Sequence, residues 1–490
     1  MEKQEVVRTA AWTSDTTSEP RISDVDYSAE ERRVRRKVDM TVLPLLFFGL
    51  LVFQLDRMNL GSALTAGFGT DVGINQSTVN LGNQLMFAGI VLLEIPSQMI
   101  LQKLGPRIYL PMQVLVFGII AIMQCLIKNR IGFLLVKSFL GISEAGYIPG
   151  GIFTISTWYT RKERAKRVAL FFFGMFGGNA LSPLLASGIL QLEGKLGLRG
   201  WQWIFILEGI FTIIIAASLL LLLPGSPEHP TPLFFSRGLI HITPADSLIL
   251  QQRIADETLG RVYCSQHEKI TPAIVWKTVC HWQRWPHFFA TSLVFSTWSP
   301  LTTYHPSIIM SLGFNRISAN ALASVGPFMA LAVLFFFSYL SDHTNRRGLV
   351  VFIAIICYLV TLIVARITIR HASNWGRWGI WTAVNAFSVG YHPAHNTWMQ
   401  LNCSDPAERS VSIALWVMFA NTGVMYGTQY FQGKDKQLYQ TGLTIMISVV
   451  SMGAVLVVAH ECIYWWWNRK LVSDNQAEED ERKHAPLYVM

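Results

Sequence analysis

A few ionisable residues lie inside long apolar stretches of the chain. Lys137 and Glu144 are seven positions apart in one such stretch, which places them on the same face of a helix. Charges inside apolar helices are costly and usually face a bundle interior or a water-filled path. Two roles are therefore open. Lys137 can attract a carboxylate while Glu144 takes up and releases a proton, or the two can form a structural ion pair that holds this helix against a neighbour.

Three more charged residues raise the same question in the first two apolar stretches. Glu94 lies inside the second stretch, and it can couple a proton or serve only packing. Asp56 and Arg57 fall where the first stretch is predicted to end, near residue 57. That position favours an interfacial pair whose side chains reach towards lipid headgroups. The alternative is a deeper position, where Asp56 and Arg57 bind a substrate or couple a proton.

Histidines beside prolines form a second group of candidates. His392 and His395 flank Pro393, and His305 precedes Pro306. Histidine titrates near physiological pH, so each can relay protons, and a proline-broken helix can line a cavity. Hydrogen bonding between helices is the simpler role, and we favour it. No third ligand has the spacing of a zinc site, so we expect no metal.

Several kinds of function are not expected from this sequence. It contains no GxxxxGK[ST] phosphate-binding loop, no nucleophile elbow and no HExxH motif. Its six cysteines show no CxxC spacing. The net charge of +9 lies mostly at predicted helix ends, where membrane topology accounts for it without a nucleic-acid partner. We therefore expect neither an enzyme nor a cofactor.

The elements that carry these residues are predicted to cross a membrane. Only 14% of the residues are charged and 51% are hydrophobic, so the chain needs lipid as part of its solvent. Twelve segments reach the roughly 20 residues that a bilayer requires. They lie near 39–57, 80–101, 108–127, 131–156, 168–190, 203–223, 286–310, 320–340, 348–369, 377–400, 410–431 and 441–464. The prediction is an all-α membrane protein with twelve transmembrane helices in two six-helix bundles.

A long polar stretch after the sixth span divides the chain. We predict a cytoplasmic N-terminal segment at 1–37, bundles at 38–223 and 285–467, a cytoplasmic linker at 224–284 and a cytoplasmic tail at 468–490. Basic residues cluster before span 1 and after span 4, whereas residues 59–79 contain none, so both termini are expected inside. The sequon at Asn75 then lies outside as a glycosylation site, and the sequon at Asn402 lies inside.

Two short basic loops support an internal repeat. The loop after span 2 contains Lys103, Gly105 and Arg107, and the loop after span 8 contains Asp342, Arg346 and Arg347. Their offset of about 240 residues recurs elsewhere in the chain, which indicates a duplicated half. We expect these loops to act in gating, by latching against a neighbouring helix in one conformational state.

Several motifs resemble those of a known family. They are Asp56-Arg57-Met58-Asn59-Leu60-Gly61, Glu94-Ile95-Pro96-Ser97, Gly141-Ile142-Ser143-Glu144-Ala145-Gly146 and Gly200-Trp201-Gln202-Trp203. Over residues 35 to 470 the chain is similar to the fungal anion:cation symporters of the major facilitator superfamily, the allantoate, nicotinate and pantothenate permease group. The resemblance implies proton-coupled transport of a small organic anion by alternating access, in a plasma-membrane protein that works as a monomer.

The chain also departs from that family at three places. Gln102 replaces a usual acid, Lys137 replaces a usual arginine, and Asp435-Lys436-Gln437-Leu438-Tyr439 replaces a short motif before span 12. These departures concern the gate, the anion or proton site and the outer mouth. They leave open an alternative within transport, an exporter of a secondary metabolite from a biosynthetic gene cluster.

Overall fold

A computed structural model of the chain describes residues 22–234, 242–259, 272–344, 346–403, 406–435, 438–477 and 489. All regular structure in these ranges is helical. The helices are α1 (Ile22–Thr65), α2 (Phe68–Val72), α3 (Gln76–Leu104), α4 (Pro106–Met123), α5 (Arg130–Glu144), α6 (Tyr147–Trp158), α7 (Arg161–Ile189), α8 (Gly200–Leu222), α9 (Pro244–Leu259), α10 (Pro272–Cys280), α11 (Trp285–Phe295), α12 (Trp298–Ser311), α13 (Arg316–Thr344), α14 (Arg347–Thr368), α15 (Asn374–Phe387), α16 (His392–Leu401), α17 (Pro406–Gly427) and α18 (Gln440–Ala477).

Each of the twelve predicted spans coincides with one helix or with two consecutive helices. Within the described residues, nine spans are long and apolar enough to cross a membrane, with α5 and α6 taken together as span 4. The other three spans are shorter for local reasons. Span 7 is divided into α11 and α12, span 10 is divided into α15 and α16, and span 11 has an apolar core of only Val411–Gly427. The predicted twelve-helix membrane fold is confirmed.

The spans pack as two six-helix bundles that meet along three helix pairs. In the first bundle, span 1 packs on spans 5 and 6; in the second, span 7 packs on spans 11 and 12. Between the bundles, span 1 contacts span 7, span 2 contacts span 11, and span 5 contacts span 8. Gly61 allows the first of these contacts, because a Cβ there would lie 2.9 Å from the Thr303 carbonyl oxygen.

One side of the molecule closes the space between the bundles. We call it the Asn75 side, because span 2 begins there after Asn75. The Asn80 amide donates to the Phe431 carbonyl at 3.0 Å and accepts a short hydrogen bond from the Tyr304 hydroxyl. Further contacts between the bundles join Gln76 to the Phe431 carbonyl, Asn83 to Thr303, Asn320 to Thr65, and Arg316 to Glu193. On the predicted orientation, this state is closed to the outside.

The opposite side, which carries the linker, has ion pairs that hold each bundle together. Glu163 at the start of span 5 binds both Arg35 and Arg253 at 2.7 Å, which ties the linker helix α9 to span 1. Burial by itself would raise the pKa of Glu163, but the hydrogen bonds from the two arginines hold it below its usual value. The second bundle has a buried pair on this side, Arg284 with Glu408 at 2.6 Å.

The chain returns to the linker side of the second bundle at Val489. Its backbone N–H donates to the Asn402 side chain at 2.7 Å, and its carbonyl accepts from the Trp398 indole at 2.7 Å and from the Asn402 amide at 3.1 Å. The Asn402 side chain is thus occupied and largely buried. Ser404 of its sequon lies outside the described residues.

The two basic loops lie on the linker side. Gly105 joins spans 2 and 3 with φ +78°, a backbone conformation that favours glycine. Arg107 donates to the Thr231 carbonyl in the linker at 2.9 Å, while Asp342 pairs with Arg347 at 3.1 Å. Asp342 is 73% exposed, so this pair contributes little stability in the present state. A role for either loop in gating stays a prediction.

The orientation predicts where a glycan can be attached. Asn75 and Ser77 are exposed, and Asn75 caps span 2 through its side-chain oxygen, which leaves its amide nitrogen accessible. We expect peptide mapping of protein from a eukaryotic host to find glycan at Asn75 and none at Asn402. Replacement of Asn75 by Gln should remove the glycan completely. Glycan on Asn402 would contradict the orientation.

The exposed Asp342–Arg347 pair predicts a kinetic effect without a folding defect. If Asp342 binds a different partner in the other conformational state, Asp342→Asn should slow turnover several-fold while the amount of protein in the membrane stays near normal. The control is Gln102→Ala, which changes the corresponding loop of the first bundle and should act more weakly. An unchanged transport rate in Asp342→Asn would remove Asp342 from the mechanism.

Candidate functional site

A break in span 4 positions Glu144. Helix α5 ends at Glu144 and α6 begins at Tyr147, because Gly146 adopts φ +81°. The carbonyl groups freed by the break accept hydrogen bonds from neighbouring spans. Ser97 and Gln113 donate to the Ala145 carbonyl at 2.6 and 2.7 Å, and Gln98 donates to the Gly146 carbonyl at 2.7 Å. Such irregular backbone is tolerated at membrane depth where protein groups satisfy it.

Glu144 forms its ion pair with Arg57 of span 1. The Arg57 Nε donates to Glu144 Oε2 at 2.7 Å, and the two side chains are 5% and 0% exposed. The guanidinium also lies over the rings of Phe53 and Phe87, with centroids at 4.0 and 5.5 Å. An ion pair does lock span 4 to a neighbouring helix here. Its cation is Arg57 and not Lys137, the partner that the sequence predicts.

Lys137 is also buried close to this pair. It is fully inaccessible, and its Nζ has no hydrogen-bond partner among the described residues. Its charge acts on both Glu144 and Asp56. Lys137 and Glu144 therefore share one face of α5 as expected. They interact electrostatically, without a hydrogen bond between them.

The interfacial position expected for Asp56 and Arg57 is wrong. Helix α1 continues to Thr65, eight residues past Arg57, so both side chains lie inside the bundle and are at most 8% exposed. Asp56 accepts a hydrogen bond from Thr212 of span 6 at 3.2 Å. The sequence-based prediction is wrong because span 1 ends in small and polar residues. Their low hydropathy is typical of the end of a membrane span, but here tertiary packing buries them.

The buried charges of the first bundle are unbalanced. Within the described residues of its spans, the buried charged side chains are Asp56, Arg57, Glu94, Lys137, Glu144 and Glu208. These are four carboxyl groups against two cations. Glu94 faces the second bundle, where it interacts with Asn421 of span 11. It also interacts electrostatically with Arg57.

The second bundle buries imidazoles in place of this charge cluster. The His395 ring lies between His287 and Thr291 of span 7, with nitrogen contacts of 2.9 and 3.0 Å. The ring of His460 of span 12 packs at a tilt against His287, with ring centroids 3.8 Å apart. His395 thus forms the hydrogen bonds between helices that the simpler role predicts. Among the described residues, no cluster of His, Cys, Asp or Glu is arranged to hold a metal ion.

The other two predicted histidines lie apart from that hydrogen-bond chain. His392 is the first residue of α16, and its ring packs between Phe295 and Trp416. His305 is buried in α12 next to the backbone of Ala323 in span 8. Sequence reasoning missed His287 and His460. His287 follows Pro286, so the rule that selected His395 would have found it, whereas His460 has no proline beside it.

The sequence is similar to those of known membrane transporters. The family model described as Major Facilitator Superfamily matches residues 46–428. The chain is 26% identical over 457 residues to the MFS-type transporter cnsO of Penicillium expansum, covering 92% of this chain and 86% of the relative. It is 32% identical over 319 residues to a putative tartrate transporter of Agrobacterium vitis, covering 65% and 69%.

A solved structure shows the same fold. A bacterial homologue of the human lysosomal transporter Spinster, crystallised inward-facing and unoccupied, superposes with a TM-score of 0.63 at 16% identity. The match covers 88% of this chain and 97% of that chain. These relatives are transporters, and the protein is an integral membrane transporter rather than an enzyme. With its twelve spans and a family match across most of its length, the chain belongs to the Major Facilitator Superfamily.

Proposed function

We propose that this transporter carries a small organic anion together with protons, by alternating access of its two bundles. The observation that carries the proposal is the buried cluster around the Arg57–Glu144 pair. This cluster offers a cation that can bind the anion, and it contains more carboxyl groups than its two cations can neutralise. The putative tartrate transporter among its relatives, whose name denotes a dicarboxylate substrate, supports the same class of cargo.

The carboxyl excess supports coupling to protons. If all six groups were ionised, the cluster would carry two positive and four negative charges, a net of −2. An unpaired charge is costly in a low-dielectric interior, so the buried state favours holding about two protons on these carboxyl groups. When the bundles rearrange and water reaches the cluster, those protons can leave. Proton binding is then linked to the conformational change.

Arg57 supports binding of the anion. Its one described hydrogen bond uses Nε, and a guanidinium has five N–H donors in a planar fork that suits a carboxylate. It lies beside Phe53 and Phe87, whose apolar cluster continues into Phe295 and Trp298 of the second bundle. A carboxylate bound there compensates the Arg57 charge while a proton neutralises Glu144. Lys137 adds a second positive charge nearby.

The contacts between the bundles support alternating access. The closed Asn75 side depends on side-chain hydrogen bonds, including Asn80 with Tyr304 and Asn83 with Thr303. Such contacts can be exchanged for water at small net cost, since a protein hydrogen bond typically contributes only about 1 kcal/mol. Opening this side therefore requires no refolding of either bundle.

Glu144→Gln tests coupling in purified protein reconstituted into liposomes. We expect the variant to lose accumulation of labelled tartrate driven by an imposed pH gradient, by roughly tenfold or more, because Gln cannot exchange a proton. Exchange of tartrate without a gradient should persist. The control is Glu408→Gln, which breaks the other buried Arg–Glu pair, in the second bundle, and should keep its pH dependence. Net efflux in the same liposomes would favour the exporter alternative.

The Arg57–Glu144 pair also predicts a folding result that separates coupling from a purely structural role. Removing one partner of a buried pair leaves an uncompensated charge and costs about 3–5 kcal/mol. If the role is only structural, Glu144→Gln should fail to accumulate as folded protein, and the double variant Arg57→Met/Glu144→Gln should recover it. Normal pH-driven uptake by well-folded Glu144→Gln would overturn the coupling proposal.

A further inference from the structure

Three buried imidazoles meet near the linker side of the second bundle. His287 is the third residue of α11, which begins span 7 directly after the linker. His395 of span 10 and His460 of span 12 both contact its ring. Each of the three residues is at most 1% exposed. We call them the histidine cluster. The anion site and the carboxyl groups of the first bundle make no use of it.

The histidine cluster contains a continuous chain of hydrogen-bonding groups. The Tyr464 hydroxyl lies 3.4 Å from His287 Nε2, and His287 Nδ1 lies 2.9 Å from His395 Nε2. At the other end, His395 Nδ1 lies 3.0 Å from Thr291 Oγ1. Because a hydroxyl can donate or accept, every contact is satisfied with both rings neutral, and equally when one ring carries an extra proton. The chain can therefore bind one proton without losing a hydrogen bond.

The surroundings of the histidine cluster offer no negative charge to balance such a proton. Among the described residues, no carboxyl group hydrogen-bonds to any of the three rings. Arg284 is close enough to act on His287, and its counter-charge Glu408 is already bound to it at 2.6 Å. Glu461 has its carboxylate against Gly348 of span 9. The other ionisable side chains around the cluster carry no negative charge near neutral pH, and they are Tyr391, His392, Cys403 and Tyr464.

The packing of the histidine cluster therefore disfavours the extra proton in this state. A buried charge without a counter-charge is costly. The rings are closed in by their neighbours, since His287 lies 3.8 Å from His460 and 4.6 Å from Trp398 between ring centroids. A hydrated imidazole, in contrast, has a pKa of about 6.5 and binds a proton in mildly acidic solution. Opening of the packing and uptake of a proton are thus linked, and each favours the other.

We propose that the histidine cluster is a proton-binding site and a pH-sensitive switch on the linker side, neutral in the present state. When that side becomes acidic, the cluster takes up a proton and the packing between the ends of spans 7, 10 and 12 opens. The present state then loses population. These protons regulate the protein, whereas the coupling protons of the proposed function belong to the carboxyl groups of the first bundle. The switch does not depend on the cargo.

Cys403 can report this opening in the full-length protein. It is 2% exposed and belongs to one buried cluster with Phe288, the residue after His287. Cys280 at the end of α10 is exposed and supplies a reference rate. The purified protein is labelled with N-ethylmaleimide, and peptide mass spectrometry gives the ratio of the Cys403 rate to the Cys280 rate. This ratio removes the pH dependence that both thiols share.

We expect the ratio to rise by about tenfold or more between about pH 7.5 and about pH 5.5. Each histidine that is neutral in the packed state and hydrated in the open one multiplies the opening constant by about ten at one pH unit below 6.5. A ratio that stays constant in the wild-type protein would exclude the switch.

His460→Phe localises the effect, and His305→Phe is its matched control. Neither ring nitrogen of His460 has a hydrogen-bond partner among the described residues, so Phe keeps the packing and removes the titration. The rise should become smaller, by up to about tenfold. His305 is also buried, with an unpartnered Nε2, but it lies in α12 on the Asn75 side of span 7. Its replacement should leave the rise unchanged.

The variants decide between a local switch and general acid unfolding. The proposal falls if His460→Phe keeps the full wild-type rise. It also falls if His305→Phe reduces the rise as much, because acid would then unfold the whole protein. Where His460→Phe fails to fold, His395→Gln gives the same test, since Gln removes a titrating ring and keeps a polar side chain. None of these measurements involves a cargo, so the proposed function is tested separately.

Discussion

The low dielectric of the membrane interior is the constraint on which this structure depends. A charge placed there must be paired, and the pairing of Arg57 with Glu144 determines how spans 1 and 4 meet. Span 4 must break at Gly146 to end α5 at Glu144, and the freed carbonyls must then be satisfied by Ser97, Gln98 and Gln113 from spans 2 and 3. One ion pair thus involves four of the six helices of its bundle.

The two bundles meet this constraint in different ways. The first buries both signs of charge with carboxyl groups in excess, whereas the second buries imidazoles and indoles whose neutral forms need no counter-charge. Charge binding and proton exchange therefore belong to the first bundle in the mechanism we propose. The duplicated fold supplies the same helix arrangement twice, and the side chains at the helix breaks give each copy its own chemistry.

Helix breaks occur in three of the described spans. Spans 4, 7 and 10 are each divided into two helices, at Gly146, at Ser296–Thr297 and at 388–391. Broken helices place backbone and terminal side chains in the middle of the membrane, which is how transporters commonly build their binding sites. Pro393 predicted the break in span 10. In spans 4 and 7 the divisions follow from backbone conformation that apolar periodicity does not reveal.

The sequence by itself determined the class of the molecule. Long apolar segments, too few charges for a soluble surface and a polar stretch after the sixth span were enough to predict twelve helices in two bundles, because hydropathy and span length are local properties. It also identified Lys137, Glu144 and Glu94 as charges inside that fold, whereas it favoured an interfacial position for Asp56 and Arg57. Only the tertiary structure decided that Glu144 pairs with Arg57, that Asp56 is buried, and that His392 packs between Phe295 and Trp416. The physical reason is that such contacts join spans up to about a hundred residues apart, and their geometry depends on how whole helices pack rather than on any pattern within one of them.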